Sequence, residues 1–358
     1  MTITLTTAEP ARHPSPTVKA RALSYLIFDR ADLDLTSKFL VDFGLHVADR
    51  RPDALFMRGS AAAPFCYVAV QAKRSAFRGL GLAVKSRADL EALTAIGGAS
   101  GIEPIAWPGG GEMVRLIDPS GFEVHAVFGA APALPIAHRA PTVFNQAEER
   151  PRVDATQRFP LVPPQVLRLG HLVLELAAFQ ATAGWYTRHF GFIPSDVQLL
   201  DDGSPAVAFM RLDLGDEPAD HHTLALAQGI AATYSHSAYE VVDADAIGVG
   251  QRMLRESGWR HAWGIGRHVL GSQLFDYWYD PFGDKHEHYT DGDVFTAAKP
   301  TGYHALSRDG MAQWGEKMPK SFVKPKITGK LVVSAIRNLV GNTDVTVAKL
   351  RQLAGLLK

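Results

Sequence analysis

Cysteine is almost absent from this chain, which has 358 residues and a single cysteine, Cys66. One thiol excludes an internal disulfide framework and any metal site built from several cysteines. Its neighbours in the stretch FCYVAV are apolar and typical of a strand, so we expect a buried thiol. A metal site in this protein must therefore use histidine and carboxylate side chains.

An excess of either charge is also missing, because the chain holds 37 basic and 37 acidic residues. A neutral chain gives no general attraction to nucleic acid or to an anionic membrane surface. No window approaches the roughly 20 apolar residues of a membrane span. The first residues also lack the charged start and apolar core of a secretory signal. We therefore expect a cytoplasmic protein that binds small molecules or other proteins, and neither nucleic acid nor membrane.

Proline is concentrated in one stretch rather than spread along the chain. Residues 131–165 hold seven of the 22 prolines and show neither helical nor strand periodicity, which is typical of a connection between domains. The chain is therefore predicted to divide into a flexible arm over 1–18, a first domain over 19–130, this linker, a second domain over 166–300, and a C-terminal segment over 301–358.

The two predicted domains resemble each other. In each, an alternating strand leads into a helical pattern that ends at a glycine, Gly44 in the first and Gly191 in the second, which sets an offset of 147 residues. Each domain closes with an Asp-Pro-x-Gly turn into a last strand, at Asp118 and at Asp280. Each also halves into units of strand, helix and three strands. We predict an α+β fold in which paired βαβββ units curl into a half-barrel.

Histidine is unevenly distributed, since nine of the 14 histidines fall between His171 and His288. A lone histidine in a strand is usually a packing residue. His171 and His236, however, occupy equivalent places in successive units, and Glu287 lies on the closing strand of the same domain. Two imidazoles and one carboxylate on a rigid sheet form the facial set that binds Fe(II) and leaves coordination positions open.

Strand alternation separates the polar residues of the closing strand DKHEHYT. Lys285, Glu287 and Tyr289 share one face, so His286 and His288 point away from the predicted metal. The histidines that we leave as surface or packing residues are His189, His261, His286, His288 and His304.

The internal duplication also predicts which domain holds the metal. The positions of the first domain that match His171, His236 and Glu287 are Ser24, about Gly79 and His125. The first domain thus keeps the scaffold but lacks two of the three ligands. We predict that it is structural and binds no metal.

Five motifs in the second domain occur in a family-like order and spacing. They are 170-GHL-172, 221-HHTLAL-226, 236-HSAYEVVDADAI-247, 266-GRH-268 and 280-DPFGDKHE-287. With them, the sequence resembles the type I extradiol ring-cleaving catechol dioxygenases of the vicinal oxygen chelate (glyoxalase and bleomycin resistance) superfamily over about residues 20–300. The resemblance implies two tandem domains of this fold, with the metal in the second.

The resemblance also implies the roles of particular residues. His171, His236 and Glu287 would bind Fe(II), although Mn(II) accepts the same ligands. His222 would be the active-site acid and base, while His268 and Tyr277 would form hydrogen bonds to the substrate. The implied reaction inserts both atoms of O2 into a catechol-type diol during aromatic catabolism.

The C-terminal segment receives two further predictions. Residues 290–300 and 314–322 are candidates for a cover over the site. Residues 327–358 are expected to form two amphipathic helices. A lipid-facing role is open to them, but packing against a neighbouring subunit, which makes a homo-oligomer, is favoured.

Two other functions remain open on the same scaffold. A metal-dependent isomerase or lyase would use a different ligand set drawn from two half-sites. A non-catalytic binding or resistance protein would have no need of the proton carrier His222 or of His268 and Tyr277.

Overall fold

The computed structural model describes residues 11–322, 329–341 and 344–356. Within these residues the chain forms two large mixed sheets and six α-helices. None of the helices in these ranges is both long and apolar enough to cross a membrane. Residues 1–10 of the predicted arm lie outside the described residues.

The first sheet has eight strands in the order β2-β3-β4-β1-β5-β8-β7-β6. Two βαβββ units meet in its centre, where β1 pairs antiparallel with β5. Its elements are β1 (Ala22–Arg30), α1 (Leu33–Asp42), β2 (His46–Arg50), β3 (Ala54–Arg58), β4 (Tyr67–Gln71), β5 (Ala76–Ala83), α2 (Arg87–Leu93), β6 (Glu103–Pro104), β7 (Glu112–Ile117) and β8 (Glu123–Phe128).

The second sheet repeats this plan with β9 and β14 antiparallel at its centre, in the order β19-β10-β11-β13-β9-β14-β17-β16-β15-β20. Its elements up to the last ligand strand are β9 (Val166–Leu176), α3 (Phe179–Phe190), β10 (Ile193–Leu199), β11 (Pro205–Arg211), β12 (Ala219–Asp220), β13 (Leu224–Gln228), β14 (Thr233–Val241), α4 (Ala244–Glu256), β15 (Arg260–His268), β16 (Leu274–Tyr279) and β17 (Lys285–Thr290).

The C-terminal segment adds a strand to each edge of the second sheet. Before it, β18 (Val294–Phe295) pairs with β12. The elements of the segment are β19 (Gly302–Ala305), a 3₁₀ turn (Asp309–Met311), β20 (Ala312–Gly315), α5 (Gly329–Gly341) and α6 (Val347–Leu356). β19 pairs with β10 and β20 with β15. The predicted α+β class, the two pairs of βαβββ units and the helical extension are confirmed, whereas the exact domain limits stay predictions.

The connecting segments pack against the domains. Residues 131–165 contain neither helix nor strand, yet Arg139 forms an ion pair with Asp243, the residue that caps α4. In the described part of the predicted arm, the backbone N–H groups of Thr17 and Val18 donate to carbonyl groups at the end of α3. Both segments are therefore held to the second domain.

The helices α1 and α3 differ in length, and this difference changes which residue of the first domain matches His171. α1 reaches its glycine, Gly44, eleven residues after its start, whereas α3 needs twelve to reach Gly191. The offset taken from the glycines is therefore one residue too large for the preceding strands. In the second sheet, His171 lies opposite Ala238, and Ala238 pairs with Glu287. In the first sheet, Tyr25 lies opposite Gly81, and Gly81 pairs with His125. Tyr25, rather than Ser24, is thus the counterpart of His171.

One apolar core joins the two domains, and the outward face of β17 packs against its aromatic side chains. His286 and His288 are fully buried there. The His288 ring stacks on Phe43 at 3.8 Å between centroids, and its Nε2 lies 2.7 Å from the Phe43 carbonyl oxygen. The two histidines are packing residues between the domains, as strand alternation predicts.

A buried arginine connects the first domain to the turn before Glu287. The Arg30 guanidinium is fully buried and lies 2.9 Å from Asp280 Oδ2 and 2.7 Å from Asp284 Oδ2. Its Nε donates to the Tyr67 hydroxyl at 2.8 Å. Burial would raise the pKa of Asp280, but Arg30 and His286 hold it below its usual value. The first domain thus fixes the Asp-Pro-x-Gly turn that leads into the ligand strand.

Replacing Arg30 with methionine should lower the free energy of unfolding by about 3–5 kcal/mol, because the buried Asp280 and the partly buried Asp284 lose their cation. Urea unfolding followed by circular dichroism measures this change. Arg78→Met is the matched control, since Arg78 pairs with Asp29 and Glu123 where the side chains are about one-third exposed. The control should cost no more than about 1 kcal/mol. Equal losses in the two variants would contradict a bracing role for Arg30.

Candidate metal centre

Three predicted metal ligands lie on adjacent central strands of the second sheet. His171 is on β9, His236 on β14 and Glu287 on β17, and their side chains meet on the inward face. One ligand atom from each lies within 4.8 Å of the others. Glu287 Oε2 is 3.2 Å from His171 Nε2 and 3.5 Å from His236 Nε2.

The chemistry of this group fits a divalent cation. Glu287 is fully buried, and neither of its carboxylate oxygens accepts a hydrogen bond of good geometry within the described residues. A buried carboxylate without such partners is costly unless a cation satisfies it. Burial would raise the pKa of Glu287, yet the adjacent His171 and His268 hold it well below its usual value. Two imidazoles and one carboxylate are ligands for Fe(II) or Mn(II).

His222 lies directly beside the ligands, where the sequence places an acid and base. Its ring is 4.1 Å from the His171 ring, between centroids, and only 4% of the residue is exposed. Burial, followed by the neighbouring histidines, holds the pKa of His222 well below its usual value. The imidazole is therefore neutral near pH 7 and able to accept a proton.

His268 and Tyr277 form a hydrogen-bonded pair on the other side of the ligands. His268 Nε2 lies 2.9 Å from the Tyr277 hydroxyl and 3.7 Å from Glu287 Oε1. His268 Nδ1 faces the Met311 carbonyl oxygen at 2.8 Å. A carbonyl only accepts, so Nδ1 carries the proton, and the Nε2 of a neutral His268 accepts from Tyr277. Burial raises the pKa of Tyr277, which keeps the phenol protonated.

The segment after β20 covers the His268 side of the site. Met318 and Phe322 are buried against Trp263 and Tyr277. Trp263 Nε1 donates to the Glu316 carbonyl at 2.7 Å, and Lys285 Nζ donates to the Phe322 carbonyl at 2.7 Å. These contacts support the proposed cover over 314–322. His236 and His268 keep small exposed fractions, with 11% and 13% of their side chains accessible.

The equivalent place in the first sheet is filled by aromatic side chains. The Tyr25 hydroxyl lies 3.0 Å from His125 Nδ1, and the Tyr25 ring contacts Phe65 and Trp107. Gly79 contributes no side chain there. This arrangement supports the proposal that the first domain binds no metal.

Three residues behind His222 have no predicted role in the sequence. His221 Nδ1 lies 2.9 Å from His222 Nδ1, and Asp196 Oδ2 lies 2.6 Å from His221 Nε2. Asp196 Oδ1 lies 2.6 Å from Nε2 of His304, a histidine predicted to be a surface or packing residue. The adjacent pair His221–His222 was the one feature of the sequence that pointed to this group. Asp196 and His304 are far apart in the sequence and meet through the pairing of β10 with β19, so no local pattern connects them.

Comparisons with known proteins agree with this architecture. The sequence is 30% identical over 322 residues to metapyrocatechase 2 from Cupriavidus necator, across 88% of this chain and 94% of that protein. A Mn(II)-bound glyoxalase from Novosphingobium aromaticivorans has the same fold, with a TM-score of 0.73 and 22% identity over 87% of this chain and 97% of that one. No protein-family model matches the chain.

A second solved structure has the same fold, with a TM-score and a sequence identity close to those of the glyoxalase. Homoprotocatechuate 2,3-dioxygenase from Arthrobacter globiformis gives a TM-score of 0.71 at 20% identity, over 90% of this chain and 96% of that one. The family follows from the sequence match, which spans nearly the full length of both proteins. The chain belongs to the extradiol ring-cleaving dioxygenases of the vicinal oxygen chelate superfamily.

Proposed function

We propose that this protein opens the ring of a catechol-type diol beside one of its hydroxyl groups, with O2 as the second substrate and Fe(II) as the metal. The observation that carries the proposal is the placement of His222 against a buried group of two histidines and one carboxylate. The match to metapyrocatechase 2 supports ring cleavage, and each step of that reaction can be assigned to particular site residues.

His171, His236 and Glu287 are the proposed metal ligands. Bound to them, an Fe(II) ion would keep one net positive charge and open positions at which a catechol and O2 can exchange electrons. Mn(II) accepts the same donors, so the choice of iron rests on the family resemblance. The single carboxylate among the ligands leaves a residual charge that favours a catechol monoanion.

His222 is the proposed acid and base. Its neutral ring takes the proton from a substrate hydroxyl as the diol binds. The same ring returns a proton to oxygen as the ring opens, so one residue serves both half-reactions. A positioned acid or base contributes a rate factor of about 10²–10⁴.

Tyr277 and His268 are the proposed hydrogen-bonding residues. The Tyr277 hydroxyl is buried beside His268 Nε2, and rotation about its C–O bond would turn its one proton from His268 to a substrate oxygen. A donor placed in this way stabilises charge that develops on oxygen in a site closed to water. The cover over 314–322 excludes water from this side.

A cavity of about 1100 Å³ is the proposed route for the substrate. Its walls include Glu175, Ser235 and Lys285. These residues lie on β9, β14 and β17, the three strands that carry the proposed ligands. The proposed ligands do not line this cavity, so its volume bears on entry, for which monocyclic and bicyclic diols are both small enough. Exposed apolar side chains on α5, among them Val332, Val333 and Ile336, support the homo-oligomer predicted from the sequence.

Oxygen uptake decides between ring cleavage and the other functions of the scaffold. Full-length protein is stripped of metal, reloaded anaerobically with Fe(II) or Mn(II), and mixed with monocyclic and bicyclic catechols in air-saturated buffer. We expect one O2 consumed per diol, a yellow ring-opened product, and both atoms of ¹⁸O2 in that product. An isomerase, a lyase or a binding protein consumes no O2. Absence of uptake with every diol and both metals would overturn the proposal.

A further inference from the structure

A hydrogen-bonded series of side chains leads from the proposed acid and base toward the surface. It runs from His222 to His221, then to Asp196 and finally to His304, with donor–acceptor distances of 2.9, 2.6 and 2.6 Å. Exposure rises along the series, since His221 is buried, the Asp196 side chain is 14% exposed and the His304 side chain is 43% exposed. No step of ring cleavage described above uses the last three residues.

The order of donors in this series follows from the carboxylate. Both oxygens of an ionised Asp196 accept hydrogen bonds, so the Nε2 atoms of His221 and His304 carry protons. A neutral His221 then has an unprotonated Nδ1, which accepts from Nδ1–H of His222. The remaining ring nitrogen of His222, Nε2, is left without a proton.

The charges around Asp196 favour its ionised form. Burial would raise the pKa of Asp196, but hydrogen bonds from His221 and His304 hold it below its usual value. The Arg211 guanidinium also lies close enough to interact with this carboxylate. The rings of Phe209 and Phe295 pack against His221 at 5.5 Å between centroids, so His221 finds its polar partners in Asp196 and His222.

The C-terminal segment completes the series. β19 pairs parallel with β10, which sets Gly302 opposite Asp196 and His304 opposite Gln198. A Cβ atom at position 302 would lie 2.1 Å from Asp196 Oδ1, so only glycine leaves room for the carboxylate there. Glycine at this position therefore lets the Asp196 carboxylate lie against β19, within reach of His304.

We propose that Asp196 and His221 are positioning residues that hold His222 in the tautomer whose Nε2 is free to accept the substrate proton, with His304 fixing the second oxygen of Asp196. This inference rests on the proposed function of His222. Its logic is that of a catalytic triad, in which a carboxylate acts through one imidazole and loses most of its effect when it becomes an amide. Here the carboxylate acts through two imidazoles in sequence.

Asp196→Asn and His221→Phe test the proposal in metal-loaded, full-length protein. Each should lower kcat with catechol about 10²-fold or more, while KM and metal content stay within about twofold, because neither residue is a ligand. Asp196→Glu should recover part of the lost kcat. His304→Gln should have a smaller effect, and His189→Gln, a half-buried histidine with Thr17 as its partner, is its matched control.

Ring-nitrogen chemical shifts give a second measurement that does not depend on turnover. In ¹⁵N-histidine protein loaded with diamagnetic Zn(II), we expect His222 to show a protonated Nδ1 and an unprotonated Nε2, and Asp196→Asn to shift this ratio. A protonated Nε2 in the wild type, or full kcat in both variants, would overturn the proposal. Wild-type protein without any ring cleavage would instead contradict the proposed function, and the shifts would still decide the tautomer.

Discussion

Replacing Glu287 with glutamine is expected to abolish metal binding and ring cleavage together. The carboxylate lies within 3.5 Å of both histidine ligands and is fully buried. An amide of the same size keeps the packing but removes the one negative charge that offsets the cation. We expect metal affinity to fall by more than about 100-fold, with turnover below detection. Metal analysis after equilibrium dialysis, together with oxygen uptake, measures both effects.

Glu175→Gln is the matched control for Glu287→Gln. Glu175 lies on the same strand as His171, and burial raises its pKa, whereas the neighbouring histidines hold the pKa of Glu287 low. Its carboxylate is bonded to Thr233 rather than grouped with the ligands. The control should keep its metal; because Glu175 also lines the proposed route of the substrate, metal content rather than activity is compared between the two variants. If Glu287→Gln retains stoichiometric metal, the proposed ligand set is wrong.

Replacing His222 with phenylalanine is expected to keep the metal but lower kcat by about 10²–10⁴-fold. The phenyl ring can occupy the contact with His171, so the fold around the ligands is preserved. It offers no nitrogen to accept or return a proton. Single-turnover kinetics of the metal-loaded variant, followed at the absorbance of the ring-opened product, measures the loss.

His125→Phe provides the comparison for His222→Phe. His125 is a buried histidine in the first half-barrel, bonded to Tyr25 rather than to any proposed ligand. This variant should lose some stability and no kcat. A His222→Phe enzyme with kcat close to that of the wild type would show that another group, or solvent, carries the proton.

Local patterns in the sequence were sufficient to predict the fold and the grouping of the ligands. Strand alternation separates Glu287 from His286 and His288, and the Asp-Pro-x-Gly turn fixes the start of β17. Both signals operate over fewer than ten residues. The repeat of the βαβββ unit then places His171 and His236 on neighbouring strands. The six predicted site residues do meet around one inward face, and their roles remain to be measured.

Contacts between distant parts of the chain could not be predicted in this way. The strands β19 and β20 are four residues long, and no hydrophobic period marks them or their partners. The Asp196–His304 contact depends on one of these pairings. The counterpart of His171 in the first domain was misplaced by one residue, because the extra residue in α3 leaves no local mark. Interactions of this kind can be identified only once the pairing of the strands in the sheet is known.

The attachment of the C-terminal segment to both edges of the second sheet sets an order of events during synthesis. The proposed metal ligands are all present once residue 287 has emerged from the ribosome. His304 joins Asp196 across 108 residues of chain, and Met311 reaches His268 across 43. The nascent protein therefore possesses its metal ligands before His304, which holds the second oxygen of Asp196, and before the segment over 314–322 that covers the site.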